Sequence, residues 1–219
     1  MRLGAVEARL LGALVEKDLT TPQQYPLTIN ALVMACNQAT NRDPVVQYDE
    51  SIVLAGIDQL KQMKLARSVL PSHGRSAVRY RHILHETWAL NQGQCALVAV
   101  MLLRGPQTVS ELRIRTERMA EIDDVAQELE WLTSRNEPLL AHNLGRSPGQ
   151  KEERWACPLL AVDESAPRAS APNEPDESRY DNAPPPDALA DLEAHVAALQ
   201  YEVNELRQQL IDLKVSLGE

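Results

Sequence analysis

Apolar positions in the first part of the chain recur at helical spacing in several separate stretches. Val6, Leu10, Leu11, Leu14 and Val15 form one stripe. A connector containing Pro22 and Pro26 follows. Thr28 is then placed as an N-cap, with Leu27 before it and Leu32 after it as a hydrophobic staple. That second helix is expected to run to about Gln38, and Val53, Ile57 and Leu60 mark the inner face of a third. Leu65 to Leu70 reads as a strand, Pro71 to Ser76 as a Gly-containing turn, and Ala77 to His82 as the returning strand.

The same order then repeats. Cys95 to Leu103 is an apolar helix that Gly105-Pro106 stops. Ser110 is expected to cap the next helix, with Val109 and Ile114 as its staple, and Val125, Leu129 and Leu132 repeat the 0, 4, 7 spacing of Val53, Ile57 and Leu60. Leu139 to Asn143 is a strand, Gly145 to Gly149 a turn, and Arg154 to Cys157 the return. Three helices followed by a hairpin is the order of a winged helix, and its appearance twice argues against chance. The expected fold class is mainly α with small β-hairpins (α+β), with two tandem winged-helix domains at residues 1–86 and 87–160. Thr28 to Val53 spans 25 residues and Ser110 to Val125 spans 15, so the first unit carries about ten more. The extra residues include Asn37-Gln38-Ala39-Thr40-Asn41-Arg42-Asp43-Pro44. This run reads either as a recognition loop with Asn, Gln and Arg donors or as a helix C-cap and turn.

A different period governs the end of the chain. Leu189, Leu192, Val196, Leu199, Val203, Leu206, Leu210, Leu213 and Leu217 alternate steps of three and four. That is a heptad repeat, and with Leu189 at a, every d position is Leu and two central a positions are Val. This favours a parallel two-stranded coiled coil over residues 189–217. The homodimer seam would be Leu192, Val196, Leu199, Val203, Leu206, Leu210 and Leu213. The other reading is one amphipathic helix packed back on the domains. Residues 161–188 hold six Pro and seven acidic residues with little apolar surface, the composition of a disordered linker.

Charge sharpens this division. Of the net −9, none arises before Ala161, where 18 basic residues offset 18 acidic ones; the remainder carries 4 against 13. The absence of Phe makes the core aliphatic. Cys36, Cys95 and Cys157 lie far apart without metal-ligand spacing, so no zinc site, disulfide framework or other cofactor is expected. No stretch has the length of a membrane span and the N-terminus lacks a signal pattern, which points to a cytoplasmic protein with no membrane partner.

The runs Glu7-Ala8-Arg9-Leu10-Leu11-Gly12, Thr20-Thr21-Pro22, Tyr25-Pro26-Leu27, Ala35-Cys36-Asn37-Gln38 and Asn41-Arg42-Asp43-Pro44-Val45 resemble the YceH-type family of uncharacterised bacterial proteins. Leu103-Arg104-Gly105-Pro106-Gln107-Thr108 and Pro148-Gly149-Gln150 resemble its second half. The resemblance implies a tandem winged-helix fold and no particular activity. The chain departs from the family pattern at Ser110, Ile122 and Cys157, where Gly, an aromatic and His are usual.

Two functions follow. One is a dimeric, DNA-binding transcription regulator that contacts duplex DNA through Arg75, Arg79 and Arg81 of the first wing and through Asn41 and Arg42 of the polar run. The other is an adaptor that docks another protein on its winged-helix surfaces without touching DNA. Against direct reading by the second unit, its third helix presents Asp124, Glu128 and Glu130 outward, beside Trp131. Arg113, Arg115 and Arg118 read either as contacts or as solvated charge paired with neighbours such as Glu111 and Glu117. Phosphate loops, HExxH, GxSxG and paired-carboxylate spacings are all missing, so no catalytic role is expected. His82 and His85 are read as structural.

Overall fold

In the computed structural model, which describes residues 1–70, 77–135, 137–146 and 149–160, two helices are buried on every side. They are α1 (Ala5–Thr20) and α5 (Gln92–Arg104). Every residue from Ala8 to Glu16 and from Gly93 to Leu103 is inaccessible. α5 is apolar nearly all round, as an interior helix is; α1 also buries Arg9 and Glu16, and the two helices pack along each other. Gly12 makes their close approach possible: a Cβ there would lie 2.7 Å from Leu103 Cγ and 3.2 Å from the Ala99 carbonyl oxygen.

The remaining elements wrap this pair. After α1 a 3₁₀ turn (Pro22–Gln24) leads to β1 (Leu27–Thr28), α2 (Ile29–Cys36), α3 (Glu50–Gln62), β2 (Ala66–Val69) and β3 (Arg79–His82). A short α4 (Leu84–Trp88), missed in the sequence, precedes α5. Then come α6 (Val109–Thr116), α7 (Val125–Ser134), β4 (His142–Asn143) and β5 (Trp155–Ala156). The strands are antiparallel, in the order β1–β3–β2 for one sheet and β4–β5 for the other. The core triads Val53, Ile57, Leu60 and Val125, Leu129, Leu132 are all buried, as their shared spacing predicts.

The two halves correspond closely. Leu27 pairs with Tyr80 of β3, and Gln107 makes an isolated bridge with Trp155 of β5. Each of these residues directly precedes a Thr that caps the next helix: Thr28 accepts from Ala31 N and Thr108 from Glu111 N. Third helices start at Asp49 and Asp124, whose carboxylates cap α3 and α7. Both halves nevertheless share one continuous core inside the compact unit Met1–Glu164. Leu3 closes it by donating its N–H to the Leu159 carbonyl at 2.7 Å.

Four local expectations are corrected. Thr108, not Ser110, is the cap of α6, because Thr108 and Glu111 form a reciprocal capping box. Ile114 is then 68 % exposed rather than stapled. Thr108 to Val125 spans 17 residues, so the first half is longer by eight residues, not ten. The second helix also ends at Cys36, two residues early, with Asn37 as its C-cap. The linker, the coiled-coil seam from Leu192 to Leu213 and Arg75 lie outside the described residues.

Gly12→Ala tests the central packing. Helix propensity favours Ala by about 1 kcal/mol, whereas overpacking costs about 1–3 kcal/mol. We expect a net loss of about 1 kcal/mol in urea unfolding; a gain would mean that α1 and α5 are not in close contact.

Candidate nucleic-acid interface

The register of the first hairpin sorts its side chains into two sets. Arg67 lies opposite Arg81, and Val69 opposite Arg79. With side chains alternating along each strand, Arg67, Arg79 and Arg81 share one face. Like charges directly opposite one another on a ladder are destabilising. Glu86 relieves part of this cost: its carboxylate accepts from Arg67 at 3.0 Å and also from Arg81. Arg79 is exposed and donates to the Pro26 carbonyl at 2.8 Å. Two of the three guanidinium groups thus share one carboxylate, and Arg79 meets only a backbone carbonyl among the described residues. Arg67 is not among the arginines expected from sequence, which lie in the turn and the returning strand; the pairing register is the signal that finds it.

The opposite face anchors the hairpin to α1. His82 is buried, and its Nε2 lies 2.9 Å from Asp18 Oδ2. Its Nδ1 accepts from Leu84 N at 3.3 Å, which leaves Nε2 as the donor to Asp18. The Tyr25 hydroxyl accepts from His82 N at 2.6 Å, and burial pushes that phenol upward. His85 meets the His82 ring edge-on at 5.6 Å. These contacts hold β3 in place.

Within the polar run from Asn37 to Pro44, the Asn37, Asn41 and Arg42 side chains turn inward, while Ala39, Thr40, Asp43 and Pro44 are exposed. Asn37 donates to the Tyr48 carbonyl and accepts from its N–H, both at 2.8 Å. Asn41 takes the left-handed conformation (φ 59°) and accepts from Arg104 Nη1 at 3.0 Å. Arg42 is buried and donates to the Ala35 carbonyl from Nε (3.0 Å) and Nη2 (2.8 Å), and to the Asn41 carbonyl from Nη1 (2.8 Å). Nη2 also reaches Gln38 Oε1 (2.8 Å) and Glu16 Oε2 (2.6 Å). Arg42 is therefore removed from the contact residues proposed from sequence: its donors face backbone carbonyls and a buried carboxylate. Arg9 adds bonds to the Cys36 and Pro44 carbonyls. The turn reading of this run matches its geometry.

Glu16 itself joins the halves. It is 2 % exposed, and its second oxygen accepts from Arg118, which follows α6. Burial raises its pKa, but the Arg42 hydrogen bond and the charges of Arg42, Arg118 and Lys17 outweigh that, leaving the carboxyl below its ordinary value.

The second half presents a different surface. Arg115 and Arg154 both pair with Glu111, at 3.4 and 3.1 Å. Glu128 accepts from Asn91 and Gln94, at 3.3 and 2.8 Å, which ties α7 to the start of α5 rather than leaving that carboxylate outward. Glu130 is exposed, and Arg135 stacks over Trp131 at 4.9 Å. Burial pushes all three thiols up to about 12, so they stay protonated at neutral pH. Among the described residues no His, Cys, Asp and Glu group is placed to hold a metal, and no helix is long and apolar enough to cross a membrane.

Removing one partner of a buried ion pair costs about 3–5 kcal/mol, the loss expected for Arg42→Met. The carboxyl of Glu16 is depressed on folding, so its contribution is complete above about pH 4.3 and is lost as pH falls through the folded-state value. Urea midpoints between pH 7 and 3 should therefore fall more steeply for the wild type than for Glu16→Gln. Parallel curves would contradict this role.

A family model described as "Protein of unknown function, DUF480" matches residues 3–150. Proteins described as "UPF0502 protein" are similar along nearly the whole chain. The Pelobacter propionicus protein is 42% identical over 224 residues, covering 98% of this chain and 97% of its own. The one from Opitutus terrae is 43% identical, covering 90% and 83%. That from Dechloromonas aromatica is 36% identical, covering 96% and 95%. Since the match takes in both halves, the polar run and the second hairpin's turn, the chain belongs to the DUF480 family of bacterial proteins, as its YceH-type motifs indicate.

Proposed function

We propose that this chain is a non-enzymatic, DNA-associated regulator: two tandem winged-helix modules fused on one core, dimerised by the C-terminal heptad segment. The carrying observation is the cationic face of the first hairpin, which Arg67, Arg79 and Arg81 share and where, among the described residues, Glu86 is the one counter-charge, paired with Arg67 and Arg81. Such a face is stabilised by a polyanion. A wing laid along a phosphate backbone has this composition. The described part of the chain has little net charge elsewhere to drive binding, so the contact is expected to be weak in one protomer and strengthened by dimerisation.

A second reading is protein docking without DNA contact. It draws on the half-exposed Trp131 and on Ile114, both on the second half, where outward carboxylates such as Glu130 disfavour a phosphate backbone.

Fluorescence anisotropy of a random duplex, titrated with the full chain at two salt concentrations, separates the two. Micromolar binding is expected, with an affinity that falls as a power of salt of about 2–3 for each engaged protomer. Arg67→Glu with Arg79→Glu should weaken it at least about tenfold and flatten the salt dependence. Absence of binding at low salt would leave protein docking as the reading, and binding indifferent to both charge reversals would remove the hairpin as the contact.

A further inference from the structure

A second cationic feature lies where the halves meet and goes beyond the hairpin contact. Arg104 at the end of α5, Arg115 of α6 and Arg118 just after it line one shallow indentation, together with Asn41 and Glu16 and an apolar base that includes Leu103. Glu16 has both oxygens engaged, one by Arg42 and one by Arg118. Arg104 bonds a neutral partner, Asn41 Oδ1, at 3.0 Å. The carboxylate of Glu111 is shared: it reaches Arg115 at 3.4 Å and Arg154 at 3.1 Å, and caps Thr108 N at 2.8 Å. Burial, and then the charge of Arg115, holds Arg104 below the ordinary guanidinium range. Three arginines therefore line one concave spot, where Glu16 and Glu111 are already committed and Asp43 is the remaining carboxylate acting on Arg104. A compact dianion there would relieve their repulsion and meet planar donor forks that match phosphate oxygens.

We propose that this indentation binds a phosphoryl group, presented either by a small phosphorylated molecule or by a nucleic-acid backbone. The residues come from both halves, since Asn41 sits in the polar run of the first and Arg115 on α6 of the second. An occupant would bridge them beside the Glu16 pin. The site is independent of the hairpin face, and none of Arg67, Arg79 or Arg81 belongs to it.

The test is calorimetric titration of the full chain with inorganic phosphate, against chloride at matched ionic strength. Saturable binding with a Kd of about 1 mM or tighter is expected, weakened at least about tenfold by Arg104→Gln and by Arg115→Gln. Neither variant removes a partner of Glu16. Phosphate-dependent amide NMR shifts at Arg115 and Met119 in the wild type give a readout that needs no variant. Duplex that competes with phosphate, and whose affinity also drops in Arg115→Gln, identifies the backbone as the source; duplex binding indifferent to both identifies a small phosphorylated molecule. Lack of saturable phosphate binding by the wild type would overturn the proposal, as would shifts that avoid these residues.

Discussion

The carboxylate of Glu16 sits in the interior of α1, where an unpaired charge would cost several kcal/mol. Much of the surrounding structure follows from that one constraint. One oxygen requires Arg42, and Arg42 can reach it only if the chain after α2 folds back across the helix. That return is secured by the Ala35 and Asn41 carbonyls, by the left-handed Asn41 and by Arg9. The other oxygen takes Arg118, so the same carboxylate fastens the segment just after α6 of the second half to α1 of the first. Close helix packing at Gly12 and this ion cluster together make one core of two similar halves.

Those halves use a common plan for different surfaces. Each has a capping Thr preceded by a residue paired to the returning strand, and each has an Asp-capped third helix over an identical apolar spacing. In the first, arginines gather on the solvent face of the hairpin. In the second, Glu111 and Glu128 hold arginines and amides within the half, and Trp131 lies partly open under Arg135. The division of labour proposed above rests on that contrast: one hairpin suited to a polyanion, and a second half better suited to structure or protein contact.

Much of this architecture is legible from periodicity, because aliphatic residues at 3.6 spacing leave few other places for helices. Thr28 and the triads Val53–Ile57–Leu60 and Val125–Leu129–Leu132 stand where the pattern puts them. The cap of α6 was misplaced because two hydroxyl residues, Thr108 and Ser110, stand two apart, and the decisive cue was Glu111 three residues after Thr108. Polarity misled more deeply at Arg42. A run of Asn, Gln, Arg and Asp looks like a surface, and only the presence of Glu16 inside an otherwise apolar helix hints that a cation must come inward to meet it. Arg67 was missed for a different reason: cross-strand register is a non-local property, invisible until the two strands are paired.

On the proposed function, two arginine-bearing segments of the first half have opposite roles, a contact face for the hairpin and an internal clamp for the polar run. Side-chain NMR of the arginine guanidinium groups in the full chain, recorded with and without duplex DNA, measures both at once. Duplex-dependent shifts are expected at Arg67, Arg79 and Arg81, with the Arg9 and Arg42 resonances unmoved and slow to exchange with solvent. Shifts at Arg42 with a silent hairpin would contradict these roles, because the polar run would then be the contact surface and the clamp around Glu16 would have to open.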